Sequence, residues 1–239
     1  MHAQKTAGVR FQLTSTVPYG TPPAMNQSAQ LKQDPDPTQH LPSKRQQEVL
    51  AAVLDLMVEE GDGFSMASVA KRASCSKETL YRWYGDRHGL LTATVRWQAS
   101  RVIMPRLDGG ELSREIFCKT LQEFAESWLA VLTSDVSIAL NRLAVSHAGN
   151  ARTNLGRIVL ENGPLAMRQR LLPIFRIGNE LGFIVVDEDE AFRMFFGLVV
   201  ADVQIRVLLG DFARPDVSEM RRVSDDAVKR MMKLYGNEN

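Results

Sequence analysis

Between Phe64 and Leu91, five cations (Lys71, Arg72, Lys77, Arg82 and Arg87) stand against two carboxylates, Glu78 and Asp86. The local net charge is +3, in a chain of 239 residues that carries only +1 in all. Guanidinium and ammonium groups gathered on one short stretch suit a polyanion, and the phosphate backbone of a duplex is the commonest one. Arg82 or Lys77 can also donate to guanine O6 and N7, and Glu78 can accept from cytosine N4. Glu78 has a second possible partner in Arg82, four residues on.

Such groups act only if something rigid presents them. Ser65 and Ser76 each sit where a side-chain oxygen can accept from the open amides of a helix start, so two short helices separated by a tight turn are expected. Val69, Ala70, Ala73, Cys75, Leu80 and Tyr84 then face inward. Lys77, Glu78, Tyr81 and Arg82 project from the outer side of the second helix. This is a helix-turn-helix, whose second helix lies in the major groove with its first residues at the base edges. Trp83 either packs or offers its indole N–H to a phosphate.

The same residues resemble the N-terminal domain of the TetR family of bacterial transcriptional regulators. That family's pattern is Thr/Ser, a hydrophobic-Ala pair, Ala-Gly-Val-Ser at the turn, then Thr-Leu-Tyr, an aromatic, a Lys and a Leu. It is met here by Ser65, Val69, Ala70, Ala73, Ser74, Cys75, Ser76, Thr79, Leu80, Tyr81, Tyr84, Arg87 and Leu90. Ser74 replaces the turn glycine, Cys75 the valine and Arg87 the lysine. The resemblance implies that Thr79, Tyr81, Trp83 and Arg87 lie near phosphates. The DNA-binding set is therefore Ser65, Ser76, Lys77, Glu78, Thr79, Tyr81, Arg82, Trp83 and Arg87.

The chain as a whole, 44% hydrophobic and 24% charged, can bury a large core divided between one small and one larger domain. No run reaches the ~20 apolar residues that cross a bilayer, and the N-terminus has no apolar signal core. Two cysteines, Cys75 and Cys118, in different elements suit a reducing cytoplasm without a disulfide. None of the four histidines follows a Glu by three residues. Neither a nucleophile elbow nor a phosphate-cradling loop is present, so no catalytic residue, metal or cofactor is assigned.

Residues 1–43, with Thr-Pro-Pro and Asp-Pro-Asp-Pro, read as a disordered tail. It is a dispensable leader, with Met25 as an alternative start, or a minor-groove arm using Lys5 and Arg10. The DNA-binding domain spans 44–104, with the helix-turn-helix at about 65–84. Its first helix is capped by Ser43 with Gln46, and its fourth runs from Asp86 to Pro105 before the breaker at Asp108-Gly-Gly110.

From 111 to 236 the pattern is helical throughout, with helices expected at 112–132, 136–148, 152–160 and 165–181. One more follows Asp187, with Glu190 as its capping-box partner, and another follows Pro215. This half is similar to the AefR-type C-terminal domain of part of the TetR family. The likeness lies in Glu161-Asn-Gly-Pro164, the turn from Leu181 to Asp187, Phe195-Phe-Gly-Leu198 and Leu208-Leu-Gly210. The resemblance implies that a small-molecule effector binds inside the bundle and respaces the two recognition helices. Trp128, Arg142, His147, Phe175 and Phe195 are the candidate effector contacts, and Pro173 could open room by kinking its helix. His147 also suits a helix C-terminus, where it would meet the last carbonyls.

The last two helices are expected to form a homodimer interface. Gly197 and Ala201 would allow close approach, and Met220 and Met231 would fill the seam. The expectation is thus an all-α, two-domain regulator: an N-terminal helix-turn-helix and a larger C-terminal helical bundle for ligand binding and dimerisation. It is cytoplasmic and binds double-stranded operator DNA and an effector, most simply as a repressor. The rival reading is a helical protein–protein adaptor whose basic helices bind no specific DNA.

Overall fold

The computed structural model describes residues 42–105, 112–148, 154–211 and 214–237. The tail at 1–41, with Lys5, Arg10 and Met25, and the breaker at Asp108 to Gly110 lie outside the described residues. Eleven α-helices follow one another among the described residues: α1 (Lys44–Glu60), α2 (Met66–Arg72), α3 (Lys77–Tyr84), α4 (Arg87–Ser100), α5 (Arg114–Leu132), α6 (Asp135–Ser146), α7 (Leu155–Asn162), α8 (Pro164–Glu180), α9 (Glu188–Val200), α10 (Val203–Leu209) and α11 (Val217–Tyr235). The protein is all-α, a helix-turn-helix domain followed by a larger helical bundle.

Side-chain caps set most of the helix starts. Ser43 accepts from the Gln46 amide while the Gln46 side chain reaches back, the box expected for α1. Ser65, Ser76, Asp86, Ser113, Ser134 and Asp216 each accept from the amide three residues on. Asp187 caps α9 through the amides of Asp189 and Glu190. Glu190 does not complete a capping box there, because its carboxylate accepts from the Tyr235 hydroxyl at 2.9 Å.

Two apolar cores form. The first joins Val49, Val53 and Leu56 of α1, Val69 of α2, Leu80 of α3 and Leu90, Leu91 and Val95 of α4. It also takes in Leu140 and Ala144 of α6 and Leu155, Ile158 and Val159 of α7. The DNA-binding helices therefore close their core on two helices that come after residue 111. The second core gathers Phe117, Phe124 and Trp128 of α5, Leu171 and Phe175 of α8, Phe192 and Phe195 of α9, and Val228 and Met231 of α11.

Several expectations need correction. The fourth helix ends at Ser100, not Pro105, and Arg170 of α8 donates to the carbonyl of Val102 just beyond it, at 2.6 Å. The one helix expected after Asp187, on the apolar stripe from Phe192 through Val199 to Val203, is two. Ala201 sits exposed at φ 42° and closes α9, and a separate α10 follows. Ala201 thus lies at a break while Gly197 stays inside α9, and the last two helices are α10 and α11. Met231 is 0% exposed inside the subunit and cannot fill a seam between subunits. Pro173 lies on the solvent face of α8, which continues through it. The turn after α8 also carries an isolated antiparallel bridge between Ile184 and Gly236 that no alternation announced.

Ser74, at φ 49°, occupies the left-handed position of the turn between α2 and α3. A side chain there costs about 1–2 kcal/mol, against roughly 0.5–1 kcal/mol for the extra chain freedom of an unfolded glycine. Ser74→Gly is expected to stabilise the fold by about 0.5–1 kcal/mol. This would appear as a higher urea midpoint at unchanged slope; an unchanged or lower midpoint would refute the strain.

Candidate nucleic-acid interface

The turn that presents α3 is held by backbone and by one distant arginine. The Ala73 amide donates to Val69 O at 2.8 Å and the Cys75 amide to Ala70 O at 2.9 Å, which folds the chain back on α2. Arg45, in the first turn of α1, donates to the carbonyls of Ala73 at 2.5 Å and Ser74 at 2.9 Å. These acceptors at the end of α2 would otherwise be left to water. Arg45 was not legible from the sequence, since its partners lie 28 and 29 residues away.

Ser76 opens α3, its hydroxyl accepting from the Thr79 amide at 3.1 Å and lying 3.1 Å from the Thr79 hydroxyl. Leu80 is fully buried and fixes the rotation of the helix. Lys77, Glu78, Tyr81 and Arg82 are left facing solvent, Tyr81 with 50% of its surface exposed. Thr79 and Trp83 are half-buried; Trp83 packs on the first core and meets the Tyr84 ring edge-on at 6.2 Å. Tyr84 is likewise half-buried, and burial, with a smaller contribution from Cys75, pushes its hydroxyl up to about 12. The Glu78 carboxyl is held below its ordinary value by its own amide and then by the Ser76 hydroxyl. It therefore turns toward the helix start and forms no ion pair with Arg82.

The cations divide into two groups. Lys71, Lys77 and Arg82 are exposed and form no ion pair among the described residues. Arg72 is engaged by both oxygens of Glu59, at 3.1 and 2.6 Å. Its charge is largely cancelled before any phosphate arrives. Arg87, at the start of α4, lies with its guanidinium 4.6 Å from the centre of the Phe64 ring. Phe64 is a second residue missed; an apolar side chain just before the Ser65 cap, five ahead of Val69, is a staple pattern that could have marked it. Ser65 itself is exposed at the start of α2, where its hydroxyl accepts from the Ser68 amide.

The approach of α3 to α4 depends on two glycines. Gly85 sits at φ 78° as the chain leaves α3. A Cβ on Gly89 would fall 2.0 Å from the Tyr84 carbonyl oxygen, so only glycine lets α4 start this close.

A cavity lies at the other end of α4. Val95, Gln98, Ala99 and Val102 of α4 and its C-terminal end form one wall. Trp128 of α5, Leu140 of α6, Met167 of α8 and Phe196 of α9 complete most of the rest. Of the five candidate effector contacts, Trp128 lies in this wall. Arg142 instead donates to the carbonyls of Val207 and Leu208 at 2.9 and 3.0 Å, tying α6 to α10. The His147 ring sits 3.0 Å from Leu143 O at the end of α6. Phe175 and Phe195 are fully buried in the second core, edge to face at 5.9 Å. Among the described residues no group of three His, Cys, Asp or Glu side chains could hold a metal. Among the described residues no single helix is long and apolar enough to cross a membrane.

Residues 119–237 match the family model of the AefR-like transcriptional repressor C-terminal domain. No curated protein matches the chain. Among solved structures, a TetR transcriptional regulator from Agrobacterium tumefaciens superposes with a TM-score of 0.70 at 37% identity, covering 82% of this chain and 96% of that one. A TetR-family regulator from Mesorhizobium loti follows at 0.63 and 24% identity, covering 81% and 97%. The flavonoid-responsive regulator FrrA follows at 0.61 and 23% identity, covering 82% and 98%. At those identities the last two speak for the fold alone.

The difference between an exposed side chain on α3 and a ring-stacked one on α4 gives a test. Arg82→Ala is expected to cost about 1–3 kcal/mol on a specific site and to relax base preference. Arg87→Ala should weaken all sequences alike and lower the salt slope by about one unit. Equal losses on specific and random DNA for Arg82→Ala would deny it a base contact.

Proposed function

The chain belongs to the TetR family of transcriptional regulators, ligand-responsive DNA-binding proteins, and on that premise we propose a homodimeric repressor that a small-molecule effector releases from its operator. The observation that carries the reading is the double attachment of α4. Its first residue, Arg87, stands at the basic face, and its last turns line the apolar cavity. From Arg87 to Gln98 the helix rises about 16 Å, so a ligand that moves the far end tilts the near one. Ser65, Ser76, Lys77, Glu78, Thr79, Tyr81, Arg82, Trp83 and Arg87 form the DNA-binding set, in a domain spanning 44–104. The domain from 111 to 236 binds effector, with Trp128 as a wall of its site, and dimerises. The protein acts in the cytoplasm and without catalysis.

Mobility shift on the DNA flanking its own reading frame tests the proposal. A sequence-dependent, salt-sensitive complex is expected. A helical adaptor, the rival reading, would give none.

Dimerisation follows from the need to hold two half-sites at fixed spacing. Gly197 supports a place for it on α9. A glycine inside a helix costs about 1 kcal/mol relative to alanine. Gly197 is exposed and a Cβ there would meet nothing within 4 Å, so nothing in its own subunit calls for it. A second subunit laid close against α9 does call for it, with α10 and α11 completing the surface. Ile205 and Leu209 of α10 are 54% and 80% exposed.

Gly197→Arg is expected to leave a folded subunit that sediments as a monomer and binds operator far more weakly. Gly197→Ala should give a more stable helix but a weaker dimer, intermediate between the unmodified protein and Gly197→Arg. If Gly197→Arg sediments as a dimer with normal operator affinity, the interface lies off α9.

A further inference from the structure

The polar groups of the cavity are all uncharged: Gln98, Ser137, Asn141 and Gln204. Among the described residues no Asp, Glu, Lys, Arg or His lines it. Arg170 comes near, through Ala99 and Val102, but commits its guanidinium to their carbonyl oxygens at 3.4 and 2.6 Å. A carboxylate or phosphate brought inside would lose its hydration with no cation in the described wall to replace it, Arg170 standing behind that wall with its donors turned to Ala99 O, Val102 O and Met167 Sδ.

Gln98 adds a demand. It is only 4% exposed, and its Oε1 has no hydrogen-bond partner. Its amide nitrogen donates to the hydroxyls of Ser134 at 3.3 Å and Ser137 at 3.1 Å. The orientation of the amide follows from Ser134. That hydroxyl gives its one hydrogen to Val131 O at 2.8 Å, so it can only accept from Gln98. The nitrogen must face Ser134, and the oxygen is the atom left over. A buried acceptor without a donor is rare in folded proteins and points to a missing partner. Trp128 and Phe196, ring centres 5.5 Å apart, supply an aromatic wall in the same cavity.

We infer that the cavity, which at about 70 Å³ must widen to admit a ring, takes a neutral, largely apolar aromatic molecule carrying a hydroxyl or N–H that donates to Gln98 Oε1. The inference rests on the effector reading proposed above and adds its chemistry: Gln98 selects for a donor, and the uncharged wall selects against anions.

Three matched probes separate the terms: para-propylphenol, its methyl ether para-propylanisole, and para-propylbenzoate. Isothermal titration on the full chain is expected to show the phenol binding about tenfold or more tighter than the ether, and no binding of the benzoate. In Gln98→Leu, which keeps the bulk and both serines, the phenol should fall to the level of the ether. An ether that matches the phenol on the unmodified protein, a benzoate that binds best, or no binding by the phenol would each overturn the inference. So would a folded Gln98→Leu protein that keeps the preference. The comparison on the unmodified protein stands even if Gln98→Leu fails to fold. Operator binding without probe reads the regulator proposal separately, so a protein that shifts DNA but ignores the phenol fails only here.

Discussion

The constraint on which the molecule depends is that α4 belongs to two cores at once. Leu90, Leu91 and Val95 are buried with α1, α2 and α3, while Val102, just past the helix, is buried with α5 and α8. Arg170 secures the far end from α8, and Asp86 caps the near end. A helix packed at close density on both sides cannot shift at one end without displacing neighbours at the other. The first core extends this coupling, because α6 and α7 supply part of its apolar surface. The DNA-binding helices are therefore not a detachable module, and Arg96 of α4, bonded to Asn162 of α7 at 2.8 Å, repeats the link at the surface.

Electrostatics on the DNA side are more selective than the residue count suggests. Of the five cations in the helix-turn-helix stretch, Arg72 already has a carboxylate, and Arg87 rests on an aromatic face. Lys71, Lys77 and Arg82, on exposed side chains without an ion pair among the described residues, keep their hydration until a phosphate replaces it. Glu78 remains beside them as a carboxylate, which suits a base-reading surface better than a purely phosphate-reading one. The few uncompensated charges make orientation, set by Leu80 and the Arg45 clamp, matter more than total charge.

The legible parts of the fold were those governed by local chemistry. Serine and aspartate caps announced the starts of α1, α2, α3 and α4, and apolar spacing announced Val69 and Leu80 as core. What escaped depends on residues far apart in the chain. Arg45 reaches a turn 28 residues on, and nothing near it signals that reach. The stripe from Phe192 to Val203 continues in apolar period across Ala201, so only the backbone reversal at φ 42° reveals two helices. Phe175 and Phe195 look the same to periodicity whether they face a core or a ligand. Gln98 carried no signal either, being one polar residue among many until its surroundings proved apolar.

The two surfaces of α4 obey opposite rules. At its start, charge is exposed and water is the competitor, so binding strength follows salt and the number of phosphates met. At its end water has been removed, and an unpaired carbonyl oxygen or an unpaired ion weighs far more than it would outside. A single helix thus joins a site tuned by long-range charge to one tuned by individual hydrogen bonds. Energy can pass between them only through differences in affinity for two arrangements of α4. A molecule that satisfies Gln98 in one arrangement and not in the other supplies that difference. One that merely fills the cavity equally well in both would bind without moving α3 at all.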